Sequence, residues 1–430
     1  MMNRILTVAI IGCGSRGCGA YGGNMMKLKE MFQIVALCDV NSKMLNLAKD
    51  RLHVPDENAF VSEEEFFKKK RADILVVATQ DRQHVRMCIK GFYLGYTVLL
   101  EKPITPVKQE LYELLEAQKK THGKALVCHV LRYAPTALKI KEVLDSGIIG
   151  KLIMMESIEQ VAYWHQAHAF VRGNWRNEDE TSPMILAKCC HDMDLIQYYA
   201  GSCCDTVYSS GGLSFFNKKN QPRDAADRCA ECKYINECVY SAEKLYIEKW
   251  KTAGCPADMW PQDVVQPVLP LSEDSLRKAY REGPYGRCVF ACDNNVVDNQ
   301  TLIMNFKNGV RATHVMTAFT NFGGRKEIFH GTLGEIEYNG SLGDERTGGL
   351  LRVSVFGGET KYYTDKELVL EGHDEFGHGG GDYGIMFNLY NLAAGKADAT
   401  TSLEESVESH LMALAAEESR KSGEVCKVHQ

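Results

Sequence analysis

A glycine-rich turn between two apolar runs is the feature that most restricts the fold. Residues 7–12 (TVAIIG) and 33–39 (QIVALCD) have the composition of buried β-strands, and the first runs into GCGSRG at 12–17. This spacing permits a tight turn, close approach of the backbone to a pyrophosphate and close packing of the following helix, whose first N–H groups bind the anion. The sequence therefore predicts a dinucleotide-binding βαβ unit. Its predicted cofactor contacts are Gly12, Gly14, Ser15, Arg16 and Gly17.

A carboxylate stands where such a unit needs one. Asp39 ends the second apolar run, about 20 residues beyond the turn, where it accepts hydrogen bonds from the adenosine ribose and repels a 2′-phosphate. NAD is therefore favoured over NADP. A glycine turn with a capping aspartate and no ligand is the alternative, but strand, turn, helix, strand and acid occur here in order.

The same pattern continues to about residue 128. Apolar runs at 73–79 and 96–102 alternate with helix-like segments at 81–95 and 110–123, and a final run lies at 125–133. Alternating strands and helices with wholly apolar strands indicate a parallel sheet covered on both faces. We therefore predict an α/β Rossmann domain over residues 1–128.

Residues 129–430 predict a second, α+β domain with a large open mixed or antiparallel β-sheet. We expect the C-terminal helix to pack back on the Rossmann domain, and the sheet to form a homo-oligomer. Residues 202–295, rich in Cys, Asp, Pro and Tyr, are predicted to be an insertion with one or two helices. The other predicted helices lie at 135–147, about 181–200, 384–395 and 402–423, and the β runs at 151–163, 300–319, 326–339, 350–357 and 360–369.

Charge and hydropathy exclude several classes of partner. The formal net charge of −6 gives no basic excess for nucleic acid, and no run approaches the ~18–20 apolar residues of a membrane span. The first residues lead into the glycine turn without a signal-peptide cleavage site, so we expect a soluble, cytoplasmic protein. The sixteen cysteines are then mostly reduced thiols.

Several motifs together resemble one known family. GCGSRG at 12–17, CD at 38–39, ATQDRQH at 78–84, EKPIT at 101–105 and GIIGKL at 147–152 resemble the Gfo/Idh/MocA family, which includes glucose-fructose oxidoreductase and inositol dehydrogenase. The resemblance covers nearly the whole chain and is looser in the insertion. It implies further cofactor contacts from Thr79, Gln80, His84, Glu101 and Lys102.

The resemblance also indicates which residues take part in the reaction. It implies that Lys102 lies near the nicotinamide, binds the substrate hydroxyl and helps to transfer its proton, which must leave as the hydride leaves. LAKCCHDMDLI at 186–196 is similar to the second family motif, D-x-G-x-H-x-x-D, with His191 as the histidine. The chain departs from that motif, because Ala187 replaces the usual aspartate and Lys188 follows it. Which of the lysines or His191 takes the proton stays open.

Further residues are predicted to line a substrate pocket. Aromatic, Arg and Asn side chains after the strand at 151–163 suit stacking on and hydrogen bonding to a sugar, although a structural loop is the alternative. The segment 377–383 resembles the H-G-G-x-D element of the sugar-acting branches. The predicted substrate contacts are Tyr163, Trp164, Arg172, Asn174, Trp175, Asp192 and His378, with His165 beside them.

A cysteine group lies in the insertion. Cys229, Cys232 and Cys238 have the spacing C-x2-C-x5-C, and Cys255, Cys288 or Cys292 could supply a fourth thiolate. A C-x2-C pair forms a chelating loop suited to tetrahedral zinc, so a structural zinc is one prediction. Free thiols or a disulfide are the alternatives.

The function predicted from these features is NAD-dependent oxidation or reduction of a secondary hydroxyl of a sugar, glycoside or cyclitol. One alternative is an NAD-dependent glycosidase that oxidises C3 transiently and eliminates the aglycone. Another is a non-catalytic NAD-binding sensor, against which Lys102 and His191 argue.

Overall fold

The first domain is built on a parallel sheet whose strands are almost wholly buried. The computed structural model describes residues 4–340, 348–373 and 375–429, and within them this sheet has six strands in the order β3-β2-β1-β4-β5-β6. The predicted Rossmann fold is therefore confirmed. The strands are β1 (Leu6–Ile11), β2 (Phe32–Cys38), β3 (Ala59–Phe60), β4 (Ile74–Val77), β5 (Thr97–Leu100) and β6 (Lys124–Val127).

Helices cover this sheet, but the first crossover differs from the prediction. The chain leaves the glycine turn as a π-helix, Ser15–Gly22, and becomes α-helical only at Gly23. Three further glycines, at 19, 22 and 23, lower the α-helical propensity of this crossover. The helices of the domain are α1 (Gly23–Lys27), α2 (Ser42–Leu52), α3 (Glu63–Phe66), α4 (His84–Tyr93) and α5 (Lys108–Thr121).

The second domain is built on a mixed sheet, as predicted. In the part of the chain that the structure describes it has nine strands in the order β14-β13-β12-β11-β7-β10-β9-β8-β15, and only the β7–β10 pair is parallel. The strands are β7 (Leu152–Ala162), β8 (Cys204–Gly212), β9 (Asn299–Phe306), β10 (Arg311–Thr320), β11 (Gly324–Gly331), β12 (Gly334–Asn339), β13 (Leu350–Val355), β14 (Thr360–Thr364) and β15 (Cys426–Lys427).

Two of the predicted β runs are hairpins. The run at 300–319 turns at Asn308-Gly309, where Gly309 has φ +90°, and the run at 326–339 turns at Thr332-Leu333. Asn-Gly is a strong turn signal, because both residues tolerate positive φ, and the apolar alternation on either side obscured it. The predicted β structure is therefore present at both places, and each run holds two strands.

The insertion begins later than predicted and has its own apolar core. Residues 204–212 form β8, so the irregular segment runs from 213 to 298. Serines and glycines make the alternation in β8 hard to recognise. Phe216, Ile247 and Leu276 are fully buried together inside the insertion, so this polar segment still folds around apolar side chains.

The last helix joins the two domains. The remaining helices are α6 (Pro135–Ser146), α7 (Tyr163–His165), α8 (Met184–Ala187), α9 (Cys190–Ala200), α10 (Lys249–Thr252), α11 (Gln262–Val265), α12 (Glu273–Glu282), α13 (Asp365–Leu368), α14 (Gly381–Ala393) and α15 (Leu403–Ser422). In α15, His410 Nε2 accepts a hydrogen bond from the Ile104 amide at 2.8 Å. Among the described residues, no helix is long and apolar enough to cross a membrane.

Candidate active site

The glycine turn has the shape of a pyrophosphate cradle. A Cβ on Gly12 would lie 2.3 Å from the Ala78 carbonyl oxygen, and one on Gly17 would lie 2.0 Å from the Gly12 carbonyl oxygen. Packing therefore requires glycine at both. No atom lies within 4 Å of a Cβ built on Gly14, so the backbone there is open to a ligand. Asp39 is half-buried beside the turn, with Oδ2 2.7 Å from the Cys13 amide. These residues fit a dinucleotide.

Arg16 and Glu101 bind each other. Arg16 Nε donates to Glu101 Oε1 at 2.8 Å, and the Tyr21 hydroxyl donates to the same oxygen at 2.6 Å. Burial on its own raises the pKa of Glu101, but the positive charges of Arg16 and Lys102 hold it below its usual value. This group ties the glycine turn to the residue before Lys102. Tyr21 was not singled out from the sequence, because a tyrosine within a crossover helix gives no local signal.

His84 connects two strand ends beneath the cofactor side of the sheet. Its Nδ1 lies 2.8 Å from the Pro103 carbonyl oxygen and its Nε2 lies 3.0 Å from that of Thr79. Both ring nitrogens are thus engaged by the backbone, and His84 positions the loop of Lys102. Gln80 is exposed at the same edge, and the Thr79 hydroxyl contacts a methionine sulfur at 3.5 Å.

Lys102 and His191 come from different domains and face one region. Lys102 Nζ donates to the carbonyl oxygen of Ala187, at the end of α8, at 3.1 Å. His191 lies in the first turn of α9, is 8% exposed, and its Nδ1 has no hydrogen-bond partner among the described residues. Burial, followed by the charges of Lys102 and His129, lowers the pKa of His191 well below 6.5. The imidazole is therefore neutral and has an unused polar atom.

Lys188 belongs to a buried charge network. Its Nζ lies 2.9 Å from Glu159 Oε1, and Glu159 Oε2 lies 2.8 Å from Arg325 Nη2. Arg325 Nε also donates to Asp192 Oδ1 at 2.8 Å. Burial alone raises the pKa of Glu159, but Arg325 and Lys188 outweigh it and lower the pKa to about 2. The network fixes Lys188 beside His191 and engages both oxygens of Asp192.

Neither Glu159 nor Arg325 was predicted to be a site residue. They lie directly opposite each other on β7 and β11, which pair antiparallel. Their contact depends on this strand register, which their distant positions in the sequence do not reveal. The only indirect signal was the motif's departure at Lys188, since a partly buried lysine needs a carboxylate.

An aromatic wall stands beside this network. Burial, followed by the charge of Lys188, lowers the pKa of His165 well below 6.5. The Trp164 ring centroid is 5.4 Å from that of Trp260, and Lys249 Nζ lies 3.0 Å from the Trp164 centroid. Tyr163 contacts Tyr240 with ring centroids 5.9 Å apart. The insertion thus supplies one side of the wall.

The other predicted substrate residues have varied positions. His378 Nδ1 lies 3.1 Å from Asp382 Oδ2, and its charge lowers the pKa of His191, after larger effects from burial and Lys102. Arg172 is buried and donates to carbonyl oxygens of the insertion, so the structure does not bring it to Lys102. Asn174 is exposed, and Trp175 packs on Phe170 with centroids 6.2 Å apart.

The three predicted zinc ligands do not converge on a single ion. In the described parts of the chain, no three of the sulfurs of Cys229, Cys232, Cys238 and Cys288 lie within 4.8 Å of one another. All sixteen cysteines are free thiols, so the structure contains no disulfide among them.

Comparison with known proteins agrees with this architecture. The YteT protein of Bacillus subtilis (strain 168) is 25% identical over 380 residues, which are 85% of this chain and 84% of that protein. A 2,7-anhydro-N-acetylneuraminate hydratase of Mediterraneibacter gnavus (strain ATCC 29149) is 25% identical over 60% of this chain and 63% of its own. Levoglucosan dehydrogenase, solved with NADH, has the same fold: 15% identity, TM-score 0.71, covering 99% of this chain and 100% of that one.

Two family models match consecutive parts of the chain. The oxidoreductase family model for the NAD-binding Rossmann fold matches residues 6–129. The model for the C-terminal alpha/beta domain of the same family matches residues 141–428. The matched ranges coincide with the two sheets and leave only a short connection between them. The chain therefore belongs to the Gfo/Idh/MocA family of NAD-binding oxidoreductases.

Proposed function

We propose that this enzyme transfers hydride between NAD and a secondary hydroxyl of a sugar, glycoside or cyclitol. One observation carries the proposal: Lys102 and a neutral, 8% exposed His191, from different domains, face one region. An imidazole that can accept a proton and a lysine that can donate a hydrogen bond are the two contacts that a reacting hydroxyl needs.

Each side chain has a separate role in the reaction. NAD, when bound on the glycine turn, accepts or supplies the hydride. The Lys102 ammonium donates a hydrogen bond to the substrate oxygen and stabilises the negative charge that develops on it. The His191 imidazole accepts the hydroxyl proton, because burial keeps it neutral. The Lys188–Glu159 pair fixes the helix start on which His191 is carried.

The surroundings suit a carbohydrate rather than a charged or wholly apolar substrate. Trp260 is 43% exposed beside Trp164, and His165 and Lys188 offer polar groups close to them. Aromatic faces combined with convergent polar side chains are typical of sugar sites. The names of two relatives, a levoglucosan dehydrogenase and an anhydro-sugar hydratase, support the same substrate class.

A redox-neutral reaction at the same site is the second candidate. In that reaction NAD oxidises C3 of a glycoside transiently, a base removes the C2 proton, the aglycone is eliminated and the hydride returns. His378, which Asp382 holds beside His191, is the additional group that favours it. The hydratase relative is named for another reaction without net oxidation.

A screen of sugars, glycosides and cyclitols with NAD separates the two reactions. A dehydrogenase accumulates NADH, followed by absorbance, whereas the redox-neutral enzyme releases aglycone without net NADH. A protein that binds NAD and turns over nothing in either assay would instead be a sensor.

Variants then test the assigned residues on the substrate found. We expect Lys102→Ala and His191→Ala each to lower kcat by ~10²–10⁴, the range for losing a positioned acid or base, with NAD affinity little changed. Lys120→Ala, on the exposed side of α5, is the control. Near-normal turnover by both site variants would refute the assignment. A loss in Lys188→Ala equal to that in His191→Ala would add Lys188 to the proton-transfer group.

A further inference from the structure

Four cysteines of the insertion line one small cavity. Cys229, Cys232 and Cys238 come from one loop, and Cys288 comes from the segment after α12. The Cys288 amide donates to the Asp227 carbonyl oxygen at 2.8 Å, which holds the two segments together. The cavity has about 40 Å³ of free volume, too small for a sugar. Its other walls are largely apolar, formed by Pro222, Ala225, Ala226, Ile235 and Val289.

Arg172 brings a positive charge to this cavity. It is 1% exposed and its guanidinium donates to the carbonyl oxygens of Arg287 and Tyr240, both at 2.7 Å, and to Cys229 Sγ at 3.5 Å. Its Nη1 has no partner, and no ion pair found among the described residues includes Arg172. A buried cation without an anion is strongly unfavourable. The cavity therefore requires a negatively charged occupant.

The positions of the sulfurs distinguish between possible occupants. Tetrahedral zinc with Zn–S bonds of about 2.3 Å would hold its sulfurs about 3.8 Å apart. Here no three of the four sulfurs lie within 4.8 Å of one another, and free volume remains between them. A four-iron, four-sulfide cluster holds its cysteine sulfurs farther apart than one ion does, because the inorganic core lies between them. A C-x2-C pair with a remote further cysteine is a known arrangement for such clusters.

We propose that Cys229, Cys232, Cys238 and Cys288 bind a four-iron, four-sulfide cluster, with Arg172 compensating its charge. Each thiol loses its proton as an Fe–S bond forms, and cluster assembly supplies two ferrous ions, two ferric ions and four sulfides, so that no electron has to be gained or lost. With four thiolates, a cluster in its usual oxidised state has a net charge of about −2, which complements the guanidinium.

The cluster's role is to hold the insertion against the active site. Arg172 ends the π-helix Gln166–Arg172, which begins directly after His165. Tyr240, two residues after Cys238, contacts Tyr163. The aromatic wall is therefore connected to the cysteine cavity at both ends, and the cluster adds to the apolar core of the insertion.

Metal analysis of the whole chain, purified without oxygen and reconstituted with equal amounts of ferrous and ferric iron and with sulfide, tests the proposal. We expect about four iron and four acid-labile sulfide per chain, with a broad visible absorbance. Stoichiometric zinc without sulfide would overturn the proposal in favour of a single ion. No bound metal after reconstitution would overturn it in favour of free thiols.

Variants identify the ligands. Cys288→Ser should lose the visible absorbance and most of the iron, whereas Cys292→Ser should keep both, because Cys292 is close in sequence but does not line the cavity. NAD binding by each variant shows that the first domain has folded. Equal iron content in the two variants would refute the role of Cys288, and if Cys288→Ser fails to fold, the wild-type iron and sulfide contents decide.

Discussion

Glu159→Gln gives the sharpest test of the buried charge network. Glutamine has nearly the shape of a protonated glutamate, so the variant reports the protein with Glu159 uncharged. The pKa of Glu159 is lowered from 4.5 to about 2 by Arg325 and Lys188, which outweigh the opposing effect of burial. This lowering of the Glu159 pKa by about 2.5 pH units stabilises the folded protein by about 3 kcal/mol, at 1.36 kcal/mol per pH unit.

The sign and the pH range follow from the same shift. A lowered carboxyl pKa stabilises the folded state above pH 4.5, and this contribution is lost as the pH falls toward 2. We therefore expect the variant to be about 3 kcal/mol less stable than the wild type at pH 7, a difference that narrows to roughly half of that at pH 3. Titrating groups that do not interact with Glu159 cancel in the difference, whereas Glu327 and His314, whose pKa values the Glu159 charge raises, add smaller changes of their own.

Denaturant unfolding at several pH values measures the effect. Glu156→Gln is the matched control, because Glu156 lies on the same strand, is 48% exposed and forms an ion pair with the exposed His330 at 3.3 Å. It should change stability by less than about 1 kcal/mol, as exposed pairs do. A Glu159→Gln effect as small as the control's, or one that does not vary with pH, would refute the reasoning.

Three further predictions concern the cofactor, pH and assembly. Asp39→Ala should weaken NAD binding about 10–100-fold and NADP binding less, measured by titration, and tighter NADP than NAD binding by the wild type would contradict this. Burial, and after it neighbouring charges, lower the pKa of His410 to about 3. Below pH 6.5 the unfolded chain therefore binds a proton that the folded protein does not, so stability should fall by up to about 1.4 kcal/mol per pH unit, and His410→Asn should reduce that slope. Tyr208 and Ile303 are exposed, apolar neighbours on the outer face of the second sheet, which is typical of an interface between subunits. Light scattering should therefore show an oligomer that Ile303→Asp weakens, and a monomeric wild type would contradict this prediction.

Local sequence was sufficient to predict the first domain. The glycine spacing, the acid at the end of β2 and the apolar strands each act within about 30 residues, the length of one βαβ unit. Lys102 and His191 were predicted through motif resemblance, and the structure brings them to one region. The mixed sheet was predicted in outline, but its hairpins and β8 were missed, because turn residues and small side chains blurred the alternation.

The contacts around Lys188 lay beyond sequence reasoning for a physical reason. Glu159 and Arg325 meet only because β7 and β11 pair in one register, and nothing near either residue specifies that register. Arg172 shows the opposite error. Its neighbours suggested a sugar contact, but the direction of its side chain is set by the insertion, with which it forms its hydrogen bonds.

The hydrogen bond between α15 and the loop that follows Lys102 can form only after nearly the whole chain has been synthesised. Ile104, two residues after Lys102, donates its amide proton to His410, and the Val127 amide at the last Rossmann strand donates to the Thr401 carbonyl oxygen at 3.1 Å. During translation the ribosome releases the Rossmann strands long before residue 410. Until α15 has been synthesised, the loop that follows Lys102 lacks its hydrogen bond to His410. Premature termination before α15 would leave a chain that contains every predicted cofactor contact but lacks the His410 acceptor for the loop after Lys102.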